Sequence, residues 1–138
     1  MNTTTESIVR PLFEGEKVVH VRAGETIFRQ AEEPRGVYVV HSGEVDLLCN
    51  EKAGHLRLLR TALPGQILGL SPVLLHLPYD CTATTRTAAI LGFVGKELLM
   101  ETLDRKPNAW LRILEILSQD VNASYASMRT MKESRAVY

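Results

Sequence analysis

The chain has 138 residues, which suits one compact domain whose core needs no metal or disulfide. Sixteen basic residues balance sixteen acidic ones, and this zero net charge argues against a dedicated nucleic-acid binder. No apolar run approaches the ~20 residues of a membrane helix, and residues 1–6 lack the pattern of a secretory signal. We therefore expect a cytoplasmic protein that does not enter a membrane.

The first half of the chain reads mainly as β-structure. Residues 7–14 can form a short helix with Ile8, Leu12 and Phe13 on one side. From residue 17 onward, short apolar or alternating runs are separated by glycine and proline, a pattern typical of an all-β sandwich or barrel. The predicted strands are residues 18–21, 26–28, 36–40, 44–49, 55–59, 66–68 and 82–93.

After Gly95 the pattern becomes helical. Residues 96–103 fit a short helix, and Pro107 can stand in the first turn of a second one. From Trp110 the apolar residues alternate steps of four and three, which predicts a long helix with a heptad seam. The seam consists of Trp110, Leu114, Leu117, Val121, Ser124, Met128 and Met131.

That seam has two interpretations. The whole helix can lie on its own β-domain, or its second half can pair with a symmetry mate. We favour a homodimer, because the helix is longer than one face of a small barrel needs.

Three segments resemble motifs of the cyclic nucleotide-binding domain superfamily, as found in the effector domains of cAMP receptor and FNR-type regulators. They are residues 21–30 (VRAGETIFRQ), 36–45 (GVYVVHSGEV) and 63–69 (LPGQILG). Their order and gaps match the family, and the closing helices extend the resemblance to nearly the whole chain. The resemblance implies a single domain over residues 1–138. Its fold would be α+β but mainly β, with a double-stranded β-helix (jelly-roll) barrel at about 17–95 and closing helices at about 96–138. A short N-terminal and a long C-terminal helix complete it.

The resemblance also places a ligand site after the last glycine motif. In the family, a helix N-terminus takes the cyclic phosphate, a glutamate accepts the ribose hydroxyl, and an arginine about nine to ten residues later pairs with the phosphate. Here the glutamate position holds Leu70, and the arginine position holds Tyr79, or Asp80 if the loop is one residue longer. The site residues implied by the resemblance are Gly69, Leu70, Ser71, Tyr79, Asp80, Thr82, Ala83 and Arg86.

These departures disfavour tight binding of cyclic AMP or cyclic GMP. Losing a charge-assisted contact in a buried site costs several kcal/mol, whereas micromolar binding amounts to only about 8 kcal/mol in total. Arg86 is an alternative cation if its strand turns it inward, which the alternation does not decide. Cys81 lies inside this loop and is interpreted as a small apolar filler, with a redox role as the lesser alternative.

Three functions follow from these observations. The first is a regulatory module for an unknown small molecule other than a standard cyclic nucleotide, in a pocket with an apolar lining. We assign that lining to Leu70, Val73, Leu74, Leu77 and Tyr79. The second is a ligand-free pseudo-sensor that serves as a dimeric scaffold. The third is a true cyclic-nucleotide receptor with unusual contacts.

Other classes of function have little support in the sequence. The four histidines show no metal spacing, and we see no catalytic constellation, so we expect no enzyme, no metal and no cofactor. The two cysteines, Cys49 and Cys81, are interpreted as reduced thiols. Regulators of this family continue into a helix-turn-helix DNA reader of roughly 70 residues, whereas this chain ends at Tyr138. We therefore expect output through a protein partner and no direct DNA binding.

Overall fold

Two four-stranded antiparallel sheets form the body of the protein. The computed structural model describes residues 12–51 and 54–106, together with 108, 111 and 113. The strands are β1 (Lys17–Val21), β2 (Thr26–Phe28), β3 (Gly36–Ser42), β4 (Val45–Asn50), β5 (Leu56–Ala62), β6 (Ile67–Leu68), β7 (Thr82–Thr85) and β8 (Ala89–Gly95). The helices are α1 (Leu70–Leu75) and α2 (Lys96–Arg105).

Sheet I has the strand order β1-β8-β3-β6, and sheet II has the order β2-β7-β4-β5. The mainly β prediction is confirmed. The predicted barrel is not closed, because no ladder between described strands joins the two sheets. They face each other instead across a shared core, to which Val40 and Leu91 contribute from sheet I and Val45 and Leu47 from sheet II.

The two faces of sheet I belong to two different cores. Alternation along β3 turns Val37 and Val39 toward the helices and Tyr38 and Val40 toward sheet II. The helix-side core contains Leu12, Phe13, Val37, Val39, Leu70, Val73, Val94, Leu99, Leu103 and Ile113. The inter-sheet core contains Phe28, Val40, Val45, Leu47, Ala62, Leu68, Tyr79, Cys81, Ala83, Ala89 and Leu91.

One strand predicted from the sequence is two separate strands in the structure. The apolar run 82–93 divides into β7 and β8, because residues 86–88 carry the chain from sheet II to sheet I. At this crossing the Arg86 N–H donates to the Glu44 carbonyl at 2.9 Å. A continuous run of small and apolar residues hides such a change of sheet, because both strands are buried on one face.

The predicted helix at 96–103 is confirmed as α2. The predicted helix at 7–14 lies outside the described residues except for its last three. The seam from Trp110 to Met131 also lies outside them. The neighbouring Asn108, Leu111 and Ile113 are helical, and Ile113 is fully buried in the helix-side core. Among the described residues, no helix is long and apolar enough to cross a membrane.

The close approach of β3 to β8 at Gly36 yields a stability prediction. A Cβ added to Gly36 would collide with the carbonyl oxygen of Val94 and lie 2.8 Å from the Cα of Gly95. We expect Gly36→Ala to lower the free energy of unfolding by about 2 kcal/mol or more, because backbone atoms cannot yield. The matched control is Gly24→Ala, where φ is +81° and no atom lies within 4 Å, so only the backbone cost of about 1 kcal/mol remains. Equal urea midpoints for the two variants would contradict this packing.

Candidate functional site

The candidate segment, residues 69–83, connects β6 to β7 through α1 and a loop. Gly69 takes a φ of +80°, which turns the chain from β6 into α1, and His76 ends the helix with a φ of +55°. The loop then runs over Leu77 and Pro78, both exposed, to the buried Tyr79. The segment therefore begins at the helix-side core and ends between the sheets.

Tyr79, one of the two residues that the resemblance offers for the family's arginine position, is fixed by three kinds of contact. Its ring stacks on Phe28 with a centroid distance of 3.9 Å and an interplanar angle of 17°. Its hydroxyl donates a hydrogen bond of 2.8 Å to the Gly36 carbonyl. Its backbone N–H donates to Glu32, and its carbonyl accepts from Ala31. Only 4% of the residue is exposed, so Tyr79 is a structural residue of the core.

Burial also keeps this phenol uncharged. Desolvation is the main cause that raises the pKa of Tyr79 above its ordinary value. The hydroxyl therefore remains protonated and keeps donating to Gly36 throughout the neutral range.

The residues that open the segment face the protein interior. Leu70, at the family's glutamate position, is 5% exposed and belongs to the helix-side core. The ring of Tyr79 covers the backbone of Gly69, where an added Cβ would lie 2.9 Å from a ring carbon. Val73, assigned to an apolar pocket lining from the sequence, is also buried in the helix-side core. Leu74 is half-buried and packs against that core, whereas Leu77 is 53% exposed. Leu70 and Val73 thus face the helix-side core, and Leu77 faces solvent.

The other site residues in the segment have separate surroundings. Ser71 is half-buried and Asp80 is exposed. The Thr82 hydroxyl accepts a hydrogen bond of 2.9 Å from the Gln30 N–H, and Ala83 is fully buried between the sheets. The structure thus brings Gly69 and Tyr79 together, places Leu70 in the helix-side core, and leaves the polar members apart.

Arg86 is not brought to the candidate segment. Its Nε donates to both carboxylate oxygens of Asp46, at 3.1 and 3.3 Å. Asp46 lies between Val45 and Leu47, which both face the inter-sheet core, so Asp46 and its partner lie on the outer face of sheet II. The guanidinium is therefore occupied on the far side of that sheet.

The charge of a different cation, Arg60, reaches the segment, although the sequence did not indicate this residue. Arg60 pairs with Leu47 across β4 and β5, so its side chain starts on the inter-sheet face. It donates to the Gln66 amide oxygen at 3.2 Å, and its charge counteracts the rise in the pKa of the Cys81 thiol. Among the described residues, no carboxylate lies within ion-pair distance of it. A register shift between Leu47 and Leu48 breaks the alternation of β5, so no period-two pattern could have revealed which way Arg60 points.

A pocket of about 880 Å³ lies on the other side of Tyr79, between the β2–β3 connection and the start of α2. Phe28, Tyr38 and Tyr79 give it an aromatic wall. Its charged lining consists of Arg29, Glu32, Glu33, Arg35, Lys96 and Glu97. These three positive and three negative side chains leave the lining close to neutral. No sequence motif marked this pocket, because its parts come from three separate stretches of chain.

The described residues contain no group of three histidine, cysteine, aspartate or glutamate side chains placed to hold a metal ion.

Comparisons with known proteins agree on a family. A family model described as the cyclic nucleotide-binding domain matches residues 18–106. An ABC transporter ATP-binding protein of Mycobacterium tuberculosis is 38% identical over 81 residues, which make up 58% of this chain and 24% of that protein. The chain thus spans about a quarter of this curated relative.

Solved structures show the same fold. The c-di-GMP responsive global regulator CLP of Xanthomonas campestris has a TM-score of 0.80 at 18% identity, over 96% of this chain and 65% of that chain. The Thermus thermophilus catabolite activator protein has a TM-score of 0.78 at 17% identity, over 96% and 60%. CLP is thus described as a global regulator, and the Thermus protein as a catabolite activator protein.

The hydroxyl of Tyr79 provides a direct test of its structural role. We expect Tyr79→Phe to lower the free energy of unfolding by about 1–2 kcal/mol, because the buried Gly36 carbonyl loses its donor while the stack on Phe28 remains. The matched control is Tyr38→Phe, since the Tyr38 hydroxyl has no hydrogen-bond partner among the described residues. That control should change stability by less than about 0.5 kcal/mol. Equal effects of the two substitutions in denaturant titrations would refute the assignment.

Proposed function

The chain belongs to the cyclic nucleotide-binding domain family, and we propose that it is a regulatory sensor module whose phosphate-binding segment does not hold a cyclic nucleotide tightly. The observation that carries this proposal is the state of Tyr79. A side chain that is stacked, hydrogen-bonded and buried at the arginine position cannot be exchanged for a phosphate contact without disrupting the core.

The electrostatics around the segment support the same conclusion. A buried cyclic phosphate needs paired positive charge to offset its lost hydration. Leu70 offers neither charge nor polarity, and the exposed Asp80 carboxylate would repel the anion. Arg86 is occupied by Asp46, whereas the charge of Arg60 reaches this region. One exposed guanidinium on an edge strand is a weak substitute for a complete phosphate site.

The pocket beside Tyr79 is the better place for a small molecule. Its aromatic wall suits a flat ring, and its balanced charges suit a polar ligand without a large net charge. A neighbour of the same fold is described as responsive to c-di-GMP, so that compound belongs in a ligand screen beside the common cyclic nucleotides. Standard cyclic nucleotides at the family site remain the less favoured alternative.

We place the module in the cytoplasm and expect a homodimer through the seam of Trp110, Leu114, Leu117, Val121, Ser124, Met128 and Met131. Its ligand or its dimer would act on a protein partner rather than on DNA. The curated relative, of which this chain spans 24%, shows that such a domain can accompany an ATP-binding protein, which fits a regulatory role.

A ligand-free scaffold is the second candidate. It is favoured by the filling of the inter-sheet core, in which Val45, Ala62, Ala83 and Leu91 are each fully buried. A thermal-shift screen separates the candidates, because a ligand at a hundred times its Kd adds about 2.7 kcal/mol of stability. Any specific stabiliser would reject the scaffold.

Calorimetry with cyclic AMP and cyclic GMP tests the main proposal. We expect no measurable heat of binding by the unchanged protein at about 100 μM. The reason is that its Kd should exceed about 1 mM, which corresponds to a binding free energy of about 4 kcal/mol. We expect Asp80→Arg to bind at least about tenfold better than the matched control Asp104→Arg, which makes the same charge change on the exposed face of α2. Micromolar binding by the unchanged protein would contradict the proposal. Equal affinities of the two variants would contradict the missing cation as its cause.

A further inference from the structure

The two cysteines are 32 positions apart in the chain but lie near each other, with Cys49 in β4 and Cys81 immediately before β7. β4 and β7 are antiparallel, and their ladder pairs Leu48 with Thr82. One further step along this ladder places Cys49 opposite Cys81. Both are free thiols in this structure.

The hydrogen-bond pattern shows which kind of pair they form. The Arg86 N–H donates to the Glu44 carbonyl at 2.9 Å, which marks these two residues as a hydrogen-bonded pair. Hydrogen-bonded and non-hydrogen-bonded pairs alternate along an antiparallel ladder. Cys49 and Cys81 lie five steps further on, an odd number, so they form a non-hydrogen-bonded pair. Such pairs have Cα atoms about 4.5 Å apart, within the range of about 4.4–6.8 Å that a disulfide needs.

Both sulfurs also lie on the same face of sheet II. Leu47 and Ala83, two residues back along each strand, face the inter-sheet core, and side chains repeat with a period of two. Cys81 is 8% exposed and Cys49 is half-buried, so the first is sheltered and the second is open to solutes. Burial, followed by the Asp80 carboxylate, raises the pKa of the Cys81 thiol to about 12, and Cys49 contributes to that rise as a near neighbour.

We propose that Cys49 and Cys81 are a redox modification site, in which a hydroperoxide oxidises them to a reversible intramolecular disulfide between β4 and β7. This inference goes beyond the proposed function and does not depend on the identity of any ligand. In a reducing compartment such disulfides form only transiently, so their formation reports the presence of an oxidant.

The chemistry begins at the more accessible sulfur. The Cys49 thiolate attacks an oxygen of the hydroperoxide, so an S–O bond forms, the O–O bond breaks, and the departing alkoxide or hydroxide takes a proton from water. The Cys81 sulfur then attacks the Cys49 sulfenic sulfur. The S–S bond forms, the S–O bond breaks, and the hydroxyl leaves with the Cys81 proton as water. Two thiols lose two electrons, and the peroxide is reduced to water and an alcohol or a second water.

The high pKa of Cys81 sets the order and the speed of these steps. Its thiol is almost wholly protonated at neutral pH, so it does not react first, and the closing step accelerates as pH rises toward its pKa. A dithiol reductant reverses the bond by exchange.

The bond would enclose β5, β6 and α1 in one covalent loop. That loop contains Arg60 and most of the candidate segment, so oxidation would fasten the segment's end to β4. The module would then combine an oxidant signal with whatever its pocket senses.

The test is mass spectrometry of the whole purified protein after brief exposure to hydrogen peroxide, with thiol alkylation in denaturant. We expect a monomer lighter by two hydrogen atoms that takes up no alkylating reagent until a dithiol is added. Its melting temperature should also rise by several degrees, because the unfolded chain is constrained. Peptide mapping should recover Cys49 linked to Cys81.

Two variants serve as controls. Cys81→Ala should stop at a Cys49 sulfenic acid that dimedone traps, and Cys49→Ser should leave Cys81 unreacted. The decisive reading comes from the unchanged protein, so a variant that fails to fold does not affect the result. Two alkylatable thiols after oxidation, or a bond formed only between separate chains, would overturn the proposal.

Discussion

The hydrogen bond from the Tyr79 hydroxyl to the Gly36 carbonyl, made while the ring lies on Phe28, holds the two halves of the β-structure together at one end. Gly36 begins β3 in sheet I, and Phe28 ends β2 in sheet II. No ladder between described strands joins these sheets, so side chains must connect them. The connection is made by Tyr79, one of the two residues that the resemblance offers for the family's phosphate-binding arginine.

This constraint explains the character of the candidate segment. A residue that connects the sheets must stay in place and remain uncharged. Burial raises the pKa of Tyr79 and thereby keeps its hydroxyl neutral. A ligand-binding arginine in its place would have to stay partly hydrated when the site is empty. We propose that order in the segment is independent of ligand, and that the neighbouring pocket and the two thiols are the parts that respond to a signal.

The sequence predicts the strands well where a turn demands a particular residue. Gly24, Gly43 and Gly65 have φ values of +81°, +86° and +92°, which are backbone requirements that glycine reveals directly. The sequence does not reveal the role of Tyr79, because Gly36, which accepts its hydrogen bond, lies 43 positions away in the chain. The direction of the Arg60 side chain could not be predicted, because the register shift beside Leu47 breaks the alternation of its strand. The pairing of the cysteines depends on a strand ladder that local sequence patterns do not encode. Contacts set by sheet pairing are thus what sequence periodicity leaves out.

The most direct test of whether the segment around Tyr79 holds a cyclic nucleotide is a structure of crystals grown in saturating cyclic AMP. Such a structure shows both the ligand and Tyr79. We expect the Tyr79 ring to remain stacked on Phe28 and its hydroxyl to remain bonded to Gly36, with no nucleotide density against Gly69. A cyclic phosphate bound at Gly69, with Tyr79 displaced from Phe28, would contradict it.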